Sequence, residues 1–306
     1  MQQAAGGALQ ARDVDEVLAM LAGIVARARA ANSSLGYFPA LYRQVTLAVR
    51  DGIARGFFDD GPRMQRLDTV FANRYLAAYQ AFLAGARPAS CWELAFSATR
   101  GDRLIILQDL LVAINAHVNF DLGIAAAEVC PGEAIASVHG DFDKINQLLG
   151  KLLPVAEAAI GRFSPLVGLL DQIGGRDETQ VLDFSLDAAR EDAWNHALVL
   201  AHLPQSVWPP AVAALDAKVT FLGKLIAEPG GLAGKAVEMI RLTESLDRAA
   251  VIAALDSFAA APASAAGAAG AAGAPGDAGA ASPGSAAGAA AAGGGGATAT
   301  AAAAED

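Results

Sequence analysis

The sequence predicts an all-α fold: a single multi-helix bundle of about nine to eleven helices around a buried central helix. Three observations carry that expectation. Apolar residues recur three and four positions apart along most of the chain, which marks one face of a helix. No run alternates apolar and polar residues as a half-buried strand would. Gly, Pro and capping residues sit at the ends of the periodic runs, where helices start and stop.

The elements follow in order. "DVDEVLAMLAGIVARARA" opens with Asp13 and places Glu16 three residues on, an acidic variant of the capping box, so the first helix starts there. A second helix follows Pro39 through "LYRQVTLAVRDGIARG" and ends near Gly56. The turn "FFDDGPR" separates it from a third, "MQRLDTVFANRYLAAYQAFLAG", which stops at Gly85 ahead of Pro88. "SCWELAFSATR" is a shorter fourth helix. "GDRLIILQDLLVAINAHVNFDLGIAAAEV" is a long fifth one, stopped by "PGE" at 131–133; it is apolar nearly all round, as the buried helix of a bundle is. "DFDKINQLLGKLL", "PVAEAAIGRFSPLVGLLDQIGG" and "DETQVLDFSLDAAREDAWNHALVLAHL" follow as separate helical segments, with two or three more helices between Ser206 and Phe258. Neither a long heptad run nor a helical-repeat period is present.

Composition sets the boundaries. From residue 259 to 306 the chain is almost entirely Ala, Gly, Ser, Pro and Thr, with no large apolar side chain after Phe258. Such a segment cannot bury enough surface to offset its ordering entropy, and it is expected to be a disordered tail. Residues 1–11 are expected to be a flexible N-terminus, leaving 12–258 as the helical domain.

The net charge is −10, and removing the tail acids Asp277, Glu305 and Asp306 leaves −7 on the domain, since no basic residue lies beyond Arg248. Nucleic acid is not an expected partner, because duplex binding needs a basic stripe to release counterions. Arg12, Asp13, Asp15 and Glu16 interrupt the opening residues, so a signal peptide is not expected. The most apolar window carries Gln108, Asp109, Asn115, His117, Asn119 and Asp121 short of the ~20 clean residues of a membrane span. Cys91 and Cys130 form no CxxC motif and read as small buried apolar residues. A soluble, cytoplasmic protein is the expectation; a small molecule is a possible partner, and the oligomeric state is left open.

The polar residues of "NAHVNFDLG" inside this greasy helix need a reason. His117 and Asp121 are four apart and would share one face of an α-helix, a spacing that lets both reach one metal ion. Asp192 and His196 repeat the pattern in reverse order on a later helix, a second candidate pair for zinc, manganese or iron. Asn119 lies about 200° around a straight helix from His117, so either it serves another contact or the helix is locally irregular.

Taken with "DFDKIN" at 141–146 and "REDAW" at 190–194, "HVNFDL" at 117–122 resembles the H-x-N-x-D-L, D-[FY]-x-x-[IV]-N and R-x-x-A-W signatures of a bacterial family described only as a domain of unknown function. The resemblance spans most of residues 12–250. It implies a site built from His117, Asn119, Asp121, Asp141, Asn146, Arg190 and Trp194. Because Arg190 and Trp194 share a face that Asp192 and His196 do not, it favours His117 and Asp121 as metal ligands over the second pair. In that arrangement Asp141 is a general base, Arg190 an anion clamp or carboxylate partner, and Asn119 or Asn146 orienting donors.

Two functions fit these readings. One is metal-assisted hydrolysis, in which an ion held by His117 and carboxylates activates water, Asp141 takes its proton and Arg190 stabilises the developing charge. The other is a non-catalytic helical binding module for an apolar small molecule or partner, whose polar cluster is a structural hydrogen-bond network. No G-x-S-x-G elbow, P-loop, dinucleotide fingerprint or H-E-x-x-H offers a different chemistry.

Overall fold

The computed structural model describes residues 10–100, 103–170 and 186–257. The described residues are all-α: ten helices with short 3-10 turns and no strand among them. The tail at 259–306 and residues 1–9 of the N-terminus lie outside them.

Local sequence explains most of the boundaries. Helix α1 is Val14–Ala30, and the Asp13 side chain caps it by accepting from Glu16 N at 2.8 Å. Glu16 turns back to the amide and guanidinium of Arg12 rather than to Asp13, so the acidic capping box closes one residue early. Helix α2 is Tyr37–Ala54. It begins two residues before Pro39, because a proline in the first turn removes no intrahelical bond. Gly56, at φ 66°, ends it. Helix α3, Gly61–Leu83, starts earlier than its apolar run, with Asp60 as cap and a proline in its first turn, and Gly85 at φ 74° follows it. Helix α4 is Ser90–Ala98, whose first amides are satisfied from a distance by Asp216.

The fifth helix, α5, spans Ile106–Val129, and 89% of its most apolar window is buried inside the protein. Its length and composition would suffice to cross a membrane; here the other helices take the place of lipid. Its start is held by residues far away in sequence: Glu244 accepts from Ile106 N, and Gln108 donates to Ile226 O at 2.7 Å.

Helix α6, His139–Gly161, replaces the two segments expected around Pro154. The proline lies within one continuous helix on its exposed side, where water can satisfy the carbonyl it leaves unbonded. Helix α7 is Leu186–His202; the first part of its predicted segment, 177–185, lies outside the described residues. Three helices complete the bundle: α8 Trp208–Ala227, α9 Gly231–Thr243 and α10 Arg248–Leu255. The main core joins α1–α5, α7 and α8. Helix α7 crosses α5 at Gly123, where a Cβ would stand 2.6 Å from Ala193 O, so only a glycine permits the approach.

Candidate functional site

The central helix is not α-helical throughout. Residues Ala116–Leu122 form a π turn between the α segments Ile106–Asn115 and Gly123–Val129. In a π turn the hydrogen bonds run i→i+5, so the residue stacked on His117 is Leu122 and no longer Asp121. This change of register decides where each motif residue goes. His117, Val118 and Leu122 line one cavity, while Phe120 and Asp121 line a separate cleft.

The cavity on the His117 side has a volume of about 110 Å³. Helices α2, α3, α5, α6 and α7 wall it, mostly with aliphatic and aromatic side chains. Polar groups enter it from Tyr42, Asp68, His117 and Arg190. The His117 ring stacks on Phe71 with centroids 3.7 Å apart and meets Tyr42 edge-on at 4.4 Å. Both of its ring nitrogens are buried without a hydrogen-bond partner. Burial, reinforced by the positive charge of Arg74, holds the imidazole well below its ordinary pKa, so it is neutral at physiological pH.

Asp68 Oδ2 is also buried without a partner, and Tyr42 Oη, near Asp68 and Thr46, makes no hydrogen bond of ordinary geometry. Burial alone pushes the Asp68 carboxyl up to about 7. A buried carboxylate that lacks a partner is costly, and such groups gather where a ligand or a reaction needs them.

Asp121 has full employment elsewhere. Its Oδ1 accepts from Arg74 Nε at 2.8 Å and its Oδ2 from Trp92 Nε1 at 2.7 Å. Burial raises its carboxyl to about 6 against the downward pull of Arg74 and Trp92, which leaves it ionised at neutral pH. The cleft it borders, of about 530 Å³, is the wider of the two. Asn119 donates to Asn115 Oδ1 at 3.0 Å, and Asn115 in turn donates to Val219 O at 2.9 Å, tying α5 to α8. Both explanations for Asn119 therefore hold: the helix is irregular, and the asparagine makes a different contact.

Asp141 does not join His117. It accepts from the amides of Asp59 and Asp60, at 2.6 and 3.2 Å, and from Arg63 Nη2 at 2.7 Å. Burial pushes its carboxyl up, but those donors outweigh it and the net shift is downward. A carboxylate so placed is a clamp on the α2–α3 turn.

Arg190 and Asn146 do meet. Arg190 Nε donates to Asn146 Oδ1, its Nη2 donates to Phe142 O at 2.6 Å, and its guanidinium lies 4.4 Å from the centre of the Phe142 ring. Burial holds its pKa down to about 10, so it stays charged. Trp194, one turn on, packs on Phe142 and His139. The "DFDKIN" and "REDAW" residues thus fasten α6 to α7, and Arg190 also reaches the cavity wall that His117 shares.

The motif residues do not gather around one point. His117 and Asp121 face different cavities, and both Asp121 oxygens are occupied by donors. Asp192 takes Lys218 Nζ at 2.8 Å, while His196 Nδ1 lies 2.7 Å from the Asp192 backbone carbonyl. No group of three His, Cys, Asp or Glu residues converges among the described residues. His117 and Asp121 are thus parted by the π turn, whereas Asp192 and His196 stay together, His196 Nδ1 lying 3.6 Å from Asp192 Oδ2, with Lys218 on the same carboxylate.

Asp68, Tyr42 and Arg74 carry no motif and were not expected at a site. One of them left a trace in the sequence. Asp68 falls on the stripe Met64, Leu67, Phe71, Tyr75, so a carboxylate stands on the apolar face of α3.

Comparison with known proteins returns one finding. A family model described as a family of unknown function (DUF5995) matches residues 14–229. No curated protein matches, and no solved structure matches.

Proposed function

For a chain that belongs to the DUF5995 family, a family of unknown function, we propose that it binds a small apolar molecule in the cavity beside the π turn. One observation carries this reading: Asp68 Oδ2 and both nitrogens of His117 are buried and unbonded on the wall of an otherwise apolar cavity. Pockets for small ligands combine apolar walls with a few convergent polar groups. A structural network would have satisfied those atoms, as the Asn115, Asp121 and Arg190 networks do. The π turn supports the same reading, because such turns occur frequently at functional sites and this one aims His117 into the cavity.

Apolar cavities of this size accept ring-sized molecules. Benzene or cyclohexane is expected to raise the melting temperature of the protein in proportion to occupancy. Leu149→Trp, which fills the half-buried rim of the cavity, is expected to abolish that shift while leaving the fold intact. A shift of equal size in the variant, or none in the unsubstituted protein, would show that the cavity is not the binding site.

A further inference from the structure

The arrangement of polar and apolar groups in this cavity assigns a chemical class to its ligand. Resting on the binding reading above, we infer that the ligand is an amphiphile with a neutral hydroxyl head on a compact apolar body, entering head first.

The orientation follows from burial. Tyr42, Asp68 and His117 line the cavity and are buried, at 5%, 8% and 4% exposure. Ile145, Leu149, Leu152 and Leu153 on α6 are half-buried and form the open rim. The half-buried α6 residues lie nearest solvent, so an entering molecule meets them before it reaches the buried Tyr42, Asp68 and His117. Its polar group therefore goes in ahead of its apolar body.

The head is neutral because the cavity has charge of both signs. A cationic head would gain from Asp68 and lose against Arg190, which lines the same space and stays protonated. An anionic head would gain from Arg190, whose Nε and Nη2 are already directed to Asn146 and Phe142, and would lose against Asp68. Either charge would also lose its water at a wall that is otherwise apolar. A hydroxyl avoids both costs: it donates to the Asp68 carboxylate and accepts from the neutral imidazole N–H or the Tyr42 hydroxyl. That pair of bonds satisfies Asp68 Oδ2 together with one His117 nitrogen or the Tyr42 hydroxyl, which no hydrocarbon can do.

The test holds the body constant and changes the head. Cyclohexanol, methylcyclohexane, cyclohexylamine and cyclohexanecarboxylate are titrated by calorimetry into the full chain at pH 7.5, and cyclohexanol also into Asp68→Leu. Cyclohexanol is expected to bind roughly tenfold more tightly than each of the other three, the value of one or two satisfied buried groups. In Asp68→Leu that advantage over methylcyclohexane is expected to vanish while methylcyclohexane still binds. Equal affinity for cyclohexanol and methylcyclohexane overturns the hydroxyl head but leaves the apolar site standing, as does tightest binding of the amine or the carboxylate. Failure of all four to bind overturns the site itself.

Discussion

Asp68→Leu is expected to stabilise the protein, and to do so more strongly as the pH rises. The Oδ2 of Asp68 is buried and unbonded and the carboxyl is pushed up to about 7, whereas in the unfolded chain it titrates near 3.8. Below the lower value both states hold the proton and the group contributes no pH dependence. As the pH rises through the interval, the unfolded state releases its proton while the folded state keeps it, so stability is lost until the folded pKa is passed. Leucine removes this cost. Between pH 5 and pH 8 the variant's advantage in urea unfolding is expected to widen by about 3 kcal/mol, from roughly two pH units at 1.36 kcal/mol each. A constant difference across that range would show that Asp68 has a partner at neutral pH. A group that destabilises its own fold is the usual signature of function, since sites are where stability is given up.

Asp121→Ala is expected to have the opposite effect, a loss of about 3 kcal/mol at neutral pH. Asp121 is the shared acceptor for Arg74 Nε and Trp92 Nε1, and its side chain is 2% exposed. Its removal strands the indole N–H of Trp92, which is fully enclosed, and leaves a cation beside the core. Arg74 is about a quarter exposed, so water compensates part of its loss and the figure stays at the low end for a buried pair. Asp121→Asn, which keeps an acceptor but not the charge, is expected to lose less than half as much. If alanine and asparagine are equally costly, the ionic part of the interaction rather than the stranded indole dominates.

The contrast between these two aspartates shows what the sequence could and could not reveal. The all-α class, the cap at Asp13, the glycine stops at Gly56 and Gly85 and the central buried helix are local matters of period and capping, and all were readable. So was the odd position of Asn119, which signalled an irregular helix. The π turn itself was not readable, because its register is set by what packs around it: Phe71 and Tyr42 on one side, Arg74 and Trp92 on the other, and α7 against Gly123. A one-residue change of register was enough to turn His117 and Asp121, which the spacing placed on one face, toward different cavities. Asp141 lies away from His117 for a related reason. The amides it binds belong to residues 59 and 60, and no rule of spacing along the chain connects them. Asp68 was missed for want of a motif, although its place on the apolar stripe of α3 was visible.

The central claim is that the cavity beside the π turn holds a ligand through His117. The most direct measurement is long-range proton–nitrogen NMR of the four histidine side chains, followed from pH 8 to pH 5 with and without cyclohexanol. The His117 ring is expected to stay neutral through the range where an ordinary imidazole gains its proton, and its nitrogen shifts alone are expected to move on adding the alcohol, while those of His139, His196 and His202 stay in place. A His117 that titrates in the ordinary range near 6.5, with nitrogens indifferent to the ligand, would contradict the account.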